Sequence, residues 1–326
     1  MNKWLTGIAE ARDPQMREAL DSRLHKQQEL FAAASTKRDS TIGNKLLVRG
    51  SLEYSNICAN SCSFCGMTVR NRELNRYTVS ESDARKAISL MARMGIKQLH
   101  IVSGEDRSQP IRPVVEMIQY AGELGIHTTV VLGERLEREY RELYDAGASR
   151  YILKIETSNP EVYYRSKGRK SLKDRIDHLM RLRDIGFKIG TGVIVGLPGT
   201  TLEDVVNDIK LIREIDPDMA SVSVFSPNKQ SDYRDYPPGD VDIALNLIAL
   251  LRLVLRDDVL IPIGTSFAQR QAEGLLAGAN VVSHHSTPEQ HIDDFSAYRA
   301  SSRLKTGYDR IVSLADSANM AVSEYI

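Results

Sequence analysis

Cysteine is scarce in this chain: 326 residues hold three, Cys58, Cys62 and Cys65. So few thiols, set so close together, cannot build a long-range disulfide framework, and the odd number leaves at least one unpaired. An excess of either charge is missing too. The 43 Lys+Arg balance 43 Asp+Glu, which removes the global field that draws proteins to nucleic acid or acidic membranes. No apolar run of about 18 residues occurs, and the opening MNKWLTGIAEARDPQMREAL has no apolar core of signal-peptide type. These absences predict a soluble cytoplasmic protein with a small-molecule substrate, no nucleic-acid partner and no membrane contact. The thiols are expected to stay reduced and hold a metal.

Residues 1–47 are polar with a helical pattern, Leu20, Leu24, Leu30 and Phe31 sharing one face, and predict an N-terminal helical cap. From residue 48 short β-branched runs alternate with amphipathic helical stretches, the pattern of βα units around a parallel sheet. Eight strands are predicted, near 48–55, 98–103, 127–132, 150–156, 188–196, 221–226, 259–264 and 279–284. Helices between them carry Ser or Thr caps and Gly stops. The fold class is therefore α/β, a single (β/α)8 TIM-type barrel over 48–286, with a C-terminal helical extension over 287–326 that begins at TPEQHIDDF. No repeat, low-complexity tract or linker interrupts it. In such barrels the reactive groups sit at the C-terminal ends of the strands, and the cysteines follow the first strand at once.

Zinc is the usual guest of clustered cysteines, but a structural zinc needs four protein ligands. Here three thiols stand alone, with no histidine between His25 and His100 and no second cysteine pair. A 4Fe-4S cluster held by three thiolates keeps one iron open as a Lewis-acid site for an amino-acid ligand. Both readings stand at this point, the second alternative being a zinc-stabilised barrel that binds a small ligand.

The loop CANSCSFC resembles the cluster loop of the radical S-adenosylmethionine (SAM) enzymes. That resemblance implies a 4Fe-4S cluster on Cys58, Cys62 and Cys65 with SAM on the open iron. It also implies reductive cleavage to a 5′-deoxyadenosyl radical, with an electron donor such as flavodoxin or ferredoxin. Phe64 takes the position of an aromatic beside the adenine. SGED after the second strand offers Ser103, Gly104 and Glu105 as acceptors for the SAM ammonium group. Over roughly 48–285 the chain is similar to the diiron-hydrogenase maturase branch, 3-methylornithine synthase and, more distantly, biotin synthase. In that group the positions of Lys154, Glu156 and Arg175 contact SAM, the first usually as Arg. Lys keeps that charge and loses the bidentate fork. Lys154 and Glu156 are two apart and so share one side of a strand, whereas a lone helix Arg such as Arg175 is ordinarily solvated. At the end of the fifth strand, Ile194 and the Gly-rich turn with Gly196 suit a flat adenine lying across the strand end.

Where 3-methylornithine synthase has Arg for the substrate carboxylate, this chain has Ser221, and Gly264 and Ser266 replace its amine-end pair. Lysine is therefore an unexpected substrate, and sulfur insertion lacks cysteines for a second cluster. The remaining substrate candidates are Ser221, Ser223, Thr265, Ser266, His284 and His285. Alternation turns the two histidines to opposite sides, and SDYRDYPPGD (231–240) is a candidate lid. The expected reaction is hydrogen abstraction from a small polar, amino-acid-like substrate, leading to rearrangement or C–C cleavage. The alternative is maturase-like processing of an organometallic or cysteine-derived precursor.

Overall fold

A computed structural model describes residues 3–297 and 306–323. Its strands are β1 Lys45–Ser55, β2 Gln98–Ser103, β3 His127–Val131, β4 Ala148–Ile152, β5 Lys188–Val195, β6 Met219–Val224, β7 Val281–His285 and β8 Ala321–Ser323. Three helices, α1 Lys3–Ala9, α2 Asp13–Leu20 and α3 Leu24–Thr41, precede them. Between and after the strands come α4 Glu81–Arg93, α5 Arg112–Glu123, α6 Glu137–Asp145, α7 Pro160–Ser166, α8 Leu172–Ile185, α9 Leu202–Ile215, α10 Val241–Val254, α11 Gln271–Leu276 and α12 Tyr308–Ser317. The sheet is parallel and ordered β6-β5-β4-β3-β2-β1-β7, with β8 also on β1. This is the parallel barrel architecture expected from the βα alternation.

The predicted strand at 259–264 is not a regular one. Pro262 has no N–H to give to a ladder, and the segment makes only single bridges, Leu260 to Met219 and Pro262 to Val281. It nevertheless joins the two edges of the sheet. Leu260 exchanges backbone hydrogen bonds with Asp218 and Ala220, while Ile263 N donates to Val281 O and Asn280 N to Ile261 O, both at 2.9 Å. Arg252 of α10 locks this seam from outside, donating to Gly278 O (3.0 Å), Val259 O (2.9 Å) and Asn280 Oδ1 (3.2 Å).

Local chemistry accounts for the helix boundaries. Ser80 caps α4 by accepting from Asp83 N, Thr201 and Asp204 form a capping box at α9, and Asp240 caps α10. Helix α10 is buried on nearly every side, which a helix tolerates only when covered on both faces. The N-terminal helices supply the outer cover: Asn246 donates to Leu20 O and Ser22 O, and Gln27 donates to Asn246. The segment expected as a cap thus shields the side of the barrel at α10. Leu20, Leu30 and Phe31 are buried as expected, but Leu24 is 83% exposed. It starts α3 in a left-handed conformation (φ 52°) that turns it off the apolar face.

The tail carries an expected helix in α12, but none starts at TPEQHIDDF, which forms only a 3-10 turn at Glu289–His291 with His291 stacked on Tyr77; β8 follows α12. Replacing Arg252 with Leu should leave buried carbonyls of the seam unpaired and lower stability by about 2–4 kcal/mol. Urea unfolding tests this, and an unshifted midpoint would show that the seam does not depend on it.

Candidate active site

The cysteine loop leaves β1 at the C-terminal end of the barrel and is tied down along its length. Gly104 N donates to Ser55 O, Ala59 N to Glu105 O, Ser63 N to Ser166 O and Tyr233 N to Ser63 O, all within 2.8–2.9 Å. Gly104 allows this approach, because a Cβ there would lie 2.2 Å from Ile57 O. Cys62 is buried, with Cys58 and Cys65 half-buried. Burial raises the Cys62 thiol and pushes Cys65 up to about 12. Those two bare thiols resist ionisation, and a bound cation is what would favour thiolate. Among the described residues no three His, Cys, Asp or Glu side chains converge on one ion-sized position, whereas a cubane takes each thiolate on a different iron.

Beside this loop lies a buried network of charge. Arg175 of α8 is 1% exposed, against the solvated reading of a lone helix arginine. Its Nη2 lies 3.2 Å from Glu105 Oε2, and its Nε lies 3.1 Å from Glu134 Oε1 and 3.0 Å from Tyr163 Oη. Lys170 pairs with both carboxylates. Burial opposes the Glu105 charge, but Arg175, Lys167 and Lys170 outweigh it and hold its carboxyl well below the usual range. The Glu105 carboxylate, expected as an acceptor for a ligand ammonium group, is therefore engaged by side chains of this chain. The Ser103 hydroxyl donates to Gly104 O.

The strand expected over 150–156 ends at Ile152, so Lys154 and Glu156 stand in the loop beyond it, where they pair with Lys154 Nζ 3.1 Å from Glu156 Oε2. Lys167 lies 3.3 Å from Glu156 Oε1 and 5.7 Å from the Phe64 ring centroid. Glu156 adopts φ +60°, a costly conformation for a side-chain residue and one that collects at functional sites. Hydrogen bonds from Glu156 N to Gly192 O and from Ile194 N to Glu156 O hold it there. Phe64 and Ile194 meet in one apolar cluster with Val162, Leu197 and Phe225. Gly196 has φ +83°, and a Cβ on it would lie 2.3 Å from Gly239 Cα. Its close approach is thus to the 231–240 loop. That loop, the candidate lid, rests on the cysteine loop through Tyr233 and through Asp232, which accepts from Ser63 Oγ at 3.2 Å.

Inside the barrel is a cavity of about 250 Å³, lined by Ser221, Ser223, Thr265, Ser266 and His285. His284 points away and bonds Ser286 Oγ at 2.8 Å. Lys154 links the two regions, because it lines the cavity, pairs with Glu156 and donates to Ser223 Oγ at 3.3 Å. The sequence reading missed Arg49, Ser51 and Glu53, which also line it. Their i, i+2, i+4 spacing on β1 is the signal that identifies an inward polar face. Glu134, Lys167 and Lys170 were missed as well, and no local pattern marks them.

This fold and site define a radical SAM enzyme: the chain belongs to the radical SAM superfamily, whose profile matches residues 52–212. The 4Fe-4S cluster and SAM are that family's cofactors, and Cys58, Cys62 and Cys65 fit its C-x3-C-x2-C motif. More particularly, the chain is 30% identical over 273 residues to the FeFe-hydrogenase maturase subunit HydE of Thermotoga maritima, covering 82% of this chain and 78% of that one. The 3-methylornithine synthase of Methanosarcina acetivorans is 26% identical over 263 residues, 78% and 73% of the two chains. Among solved structures, methylornithine synthase superposes with a TM-score of 0.86 at 23% identity over 98% and 97% of the chains. No helix among the described residues is long and apolar enough to cross a membrane.

Asp208 of α9 supports the Glu156 loop, accepting from Ser158 N at 2.5 Å, and burial pushes its carboxyl up to about 7. A raised folded-state pKa contributes stability that is fully present below the unfolded value near 4 and is lost as pH rises through 7. Wild type minus Asp208→Asn stability should therefore fall between pH 4 and 8. A flat difference in pH-resolved unfolding curves would contradict this.

Proposed function

We propose that the chain acts at the mouth of its barrel on a small polar substrate held in the cavity beneath, abstracting hydrogen and leading to rearrangement or C–C bond cleavage. The observation that carries this reading is the continuity of the two regions through Lys154, which belongs to both. When bound, the cluster and SAM supply a 5′-deoxyadenosyl radical by one-electron reduction, the electron coming from a flavodoxin or ferredoxin.

The residues of the chain bind and orient. Cys58, Cys62 and Cys65 hold the cluster, and the hydrogen bonds along their loop fix its position before any ligand arrives. Phe64 and Ile194 offer an apolar face to the adenine. Lys154 and Glu156 offer opposite charges to the ends of the SAM methionine, while Arg175 fixes Glu105 and Glu134 behind them. The hydroxyls of Ser221, Ser223, Thr265 and Ser266, with His285, give a substrate hydrogen-bond partners without a fixed charge.

The identity to the maturase subunit favours one second reading, the processing of an organometallic or cysteine-derived precursor in the same cavity. Membership of the superfamily displaces the zinc-stabilised reading.

Anaerobic incubation with deuterated candidate substrates should place label in 5′-deoxyadenosine, and Cys58→Ala, Cys62→Ala and Cys65→Ala should each abolish reductive SAM cleavage. Turnover in any of these variants would refute the cluster assignment. Arg175→Met, which leaves Glu105 and Glu134 short of a buried cation, should weaken SAM binding at least about tenfold. Equilibrium dialysis with labelled SAM measures this, and unchanged affinity would remove Arg175 from the site.

A further inference from the structure

The cavity contains a cation that pairs with no carboxylate among the described residues. Arg49 projects from β1 across the floor of the barrel, its Nε donating to Ser283 Oγ at 2.9 Å on β7 and its Nη1 lying 3.5 Å from Met219 Sδ at the start of β6. It forms no ion pair with any described acidic side chain. Burial pulls it down to about 10, and it remains charged at neutral pH. The cations at the mouth of the barrel do have carboxylates, Arg175 two of them and Lys154 and Lys167 sharing Glu156.

Next to it on β2, His100 gives an independent sign of a missing partner. It is 8% exposed, it lines the same cavity, and both its ring nitrogens are buried without a hydrogen-bond partner. Its register partner on β1 is Ser51, two residues from Arg49 on the same inward face. Burial and the Arg49 charge both keep the ring neutral, so it has one N–H to give. A half-buried charge with no carboxylate partner and an unsatisfied imidazole side by side are costly unless a ligand completes them.

We propose that Arg49 and His100 form the anchor for a substrate carboxylate, so that this enzyme acts on a small carboxylic acid bound with its acid group at the barrel floor. This deepens the functional reading above and rests on it. One unpaired guanidinium matches a monoanion, and its planar fork matches the two oxygens of a carboxylate. Six residues of strand separate Arg49 from Ser55, at about 3.3 Å each, so the acid group lies deep and the reacting carbon is presented nearer the mouth.

Binding of acetate, butanoate, pentanoate and hexanoate to the reconstituted protein with SAM, measured anaerobically by calorimetry against the matched amides and propyl phosphate, tests this. At least one carboxylate should bind ten or more times tighter than its amide and tighter than the phosphate. Arg49→Gln, checked for retained iron and thermal midpoint, should erase that preference, and Arg49→Lys should restore part of it. His100→Phe should weaken the acid more than the amide. Equal binding of acid and amide, tighter binding of the phosphate, no saturable binding by any acid, or an unchanged preference in Arg49→Gln would each overturn the anchor. Dithionite-driven formation of 5′-deoxyadenosine reports separately on the radical SAM reading, so the failure of one is distinguishable from the failure of the other.

Discussion

Arg175 is the point on which the mouth of the barrel depends. Its guanidinium is removed from water and repaired by Glu105 from the end of β2, Glu134 from the end of β3 and Tyr163 from α7. A buried charge of this kind holds only while all its partners stay in place, so one helix residue fixes two strand ends relative to each other. Glu105 passes that constraint on, since its carbonyl accepts from Ala59 inside the cysteine loop. Lys170 balances the second carboxylate, leaving Arg175, Lys170, Glu105 and Glu134 neutral as a group. Lys154, Lys167 and Glu156 then carry one surplus positive charge toward the thiols, the sign that a cluster with anionic sulfur ligands requires.

Much of the fold was legible because apolar periodicity is a local property. Seven strands and the capped helices between them follow from alternation and from Ser80, Thr201 and Asp240. The strand expected at 259–264 failed on a single residue, Pro262, whose missing amide turns a ladder into two isolated bridges. Leu24 failed similarly, because a left-handed start to α3 cannot be read from spacing. The role of the N-terminal helices was hidden for another reason. It follows from α10 being apolar all round, and only its neighbours show which element covers it.

The site divides along the same line. The cysteines stood out through their motif, and Phe64, Lys154, Glu156 and Arg175, singled out through the resemblance it carries, lie beside their loop. Lys167, Lys170 and Glu134 were not, because the network joins separate βα loops whose meeting depends on the closed barrel. Arg49 and His100 lie between these cases. Alternation along β1 and β2 is visible, but which face turns inward is decided by the whole sheet.

The pairing of β1 also bears on the order in which the chain can assemble. This strand takes β2 as a partner about fifty residues later, β7 some 230 residues later and β8 almost at the end of the chain. Contacts of such long sequence separation form late, and a chain made from its N-terminus has exposed its three thiols well before those partners exist. The cysteine loop, held by Glu105, Ser166 and Tyr233, can therefore take its final position only after those later residues have been made. Once the barrel has closed over them, burial keeps the Cys62 and Cys65 thiols protonated until a cation arrives.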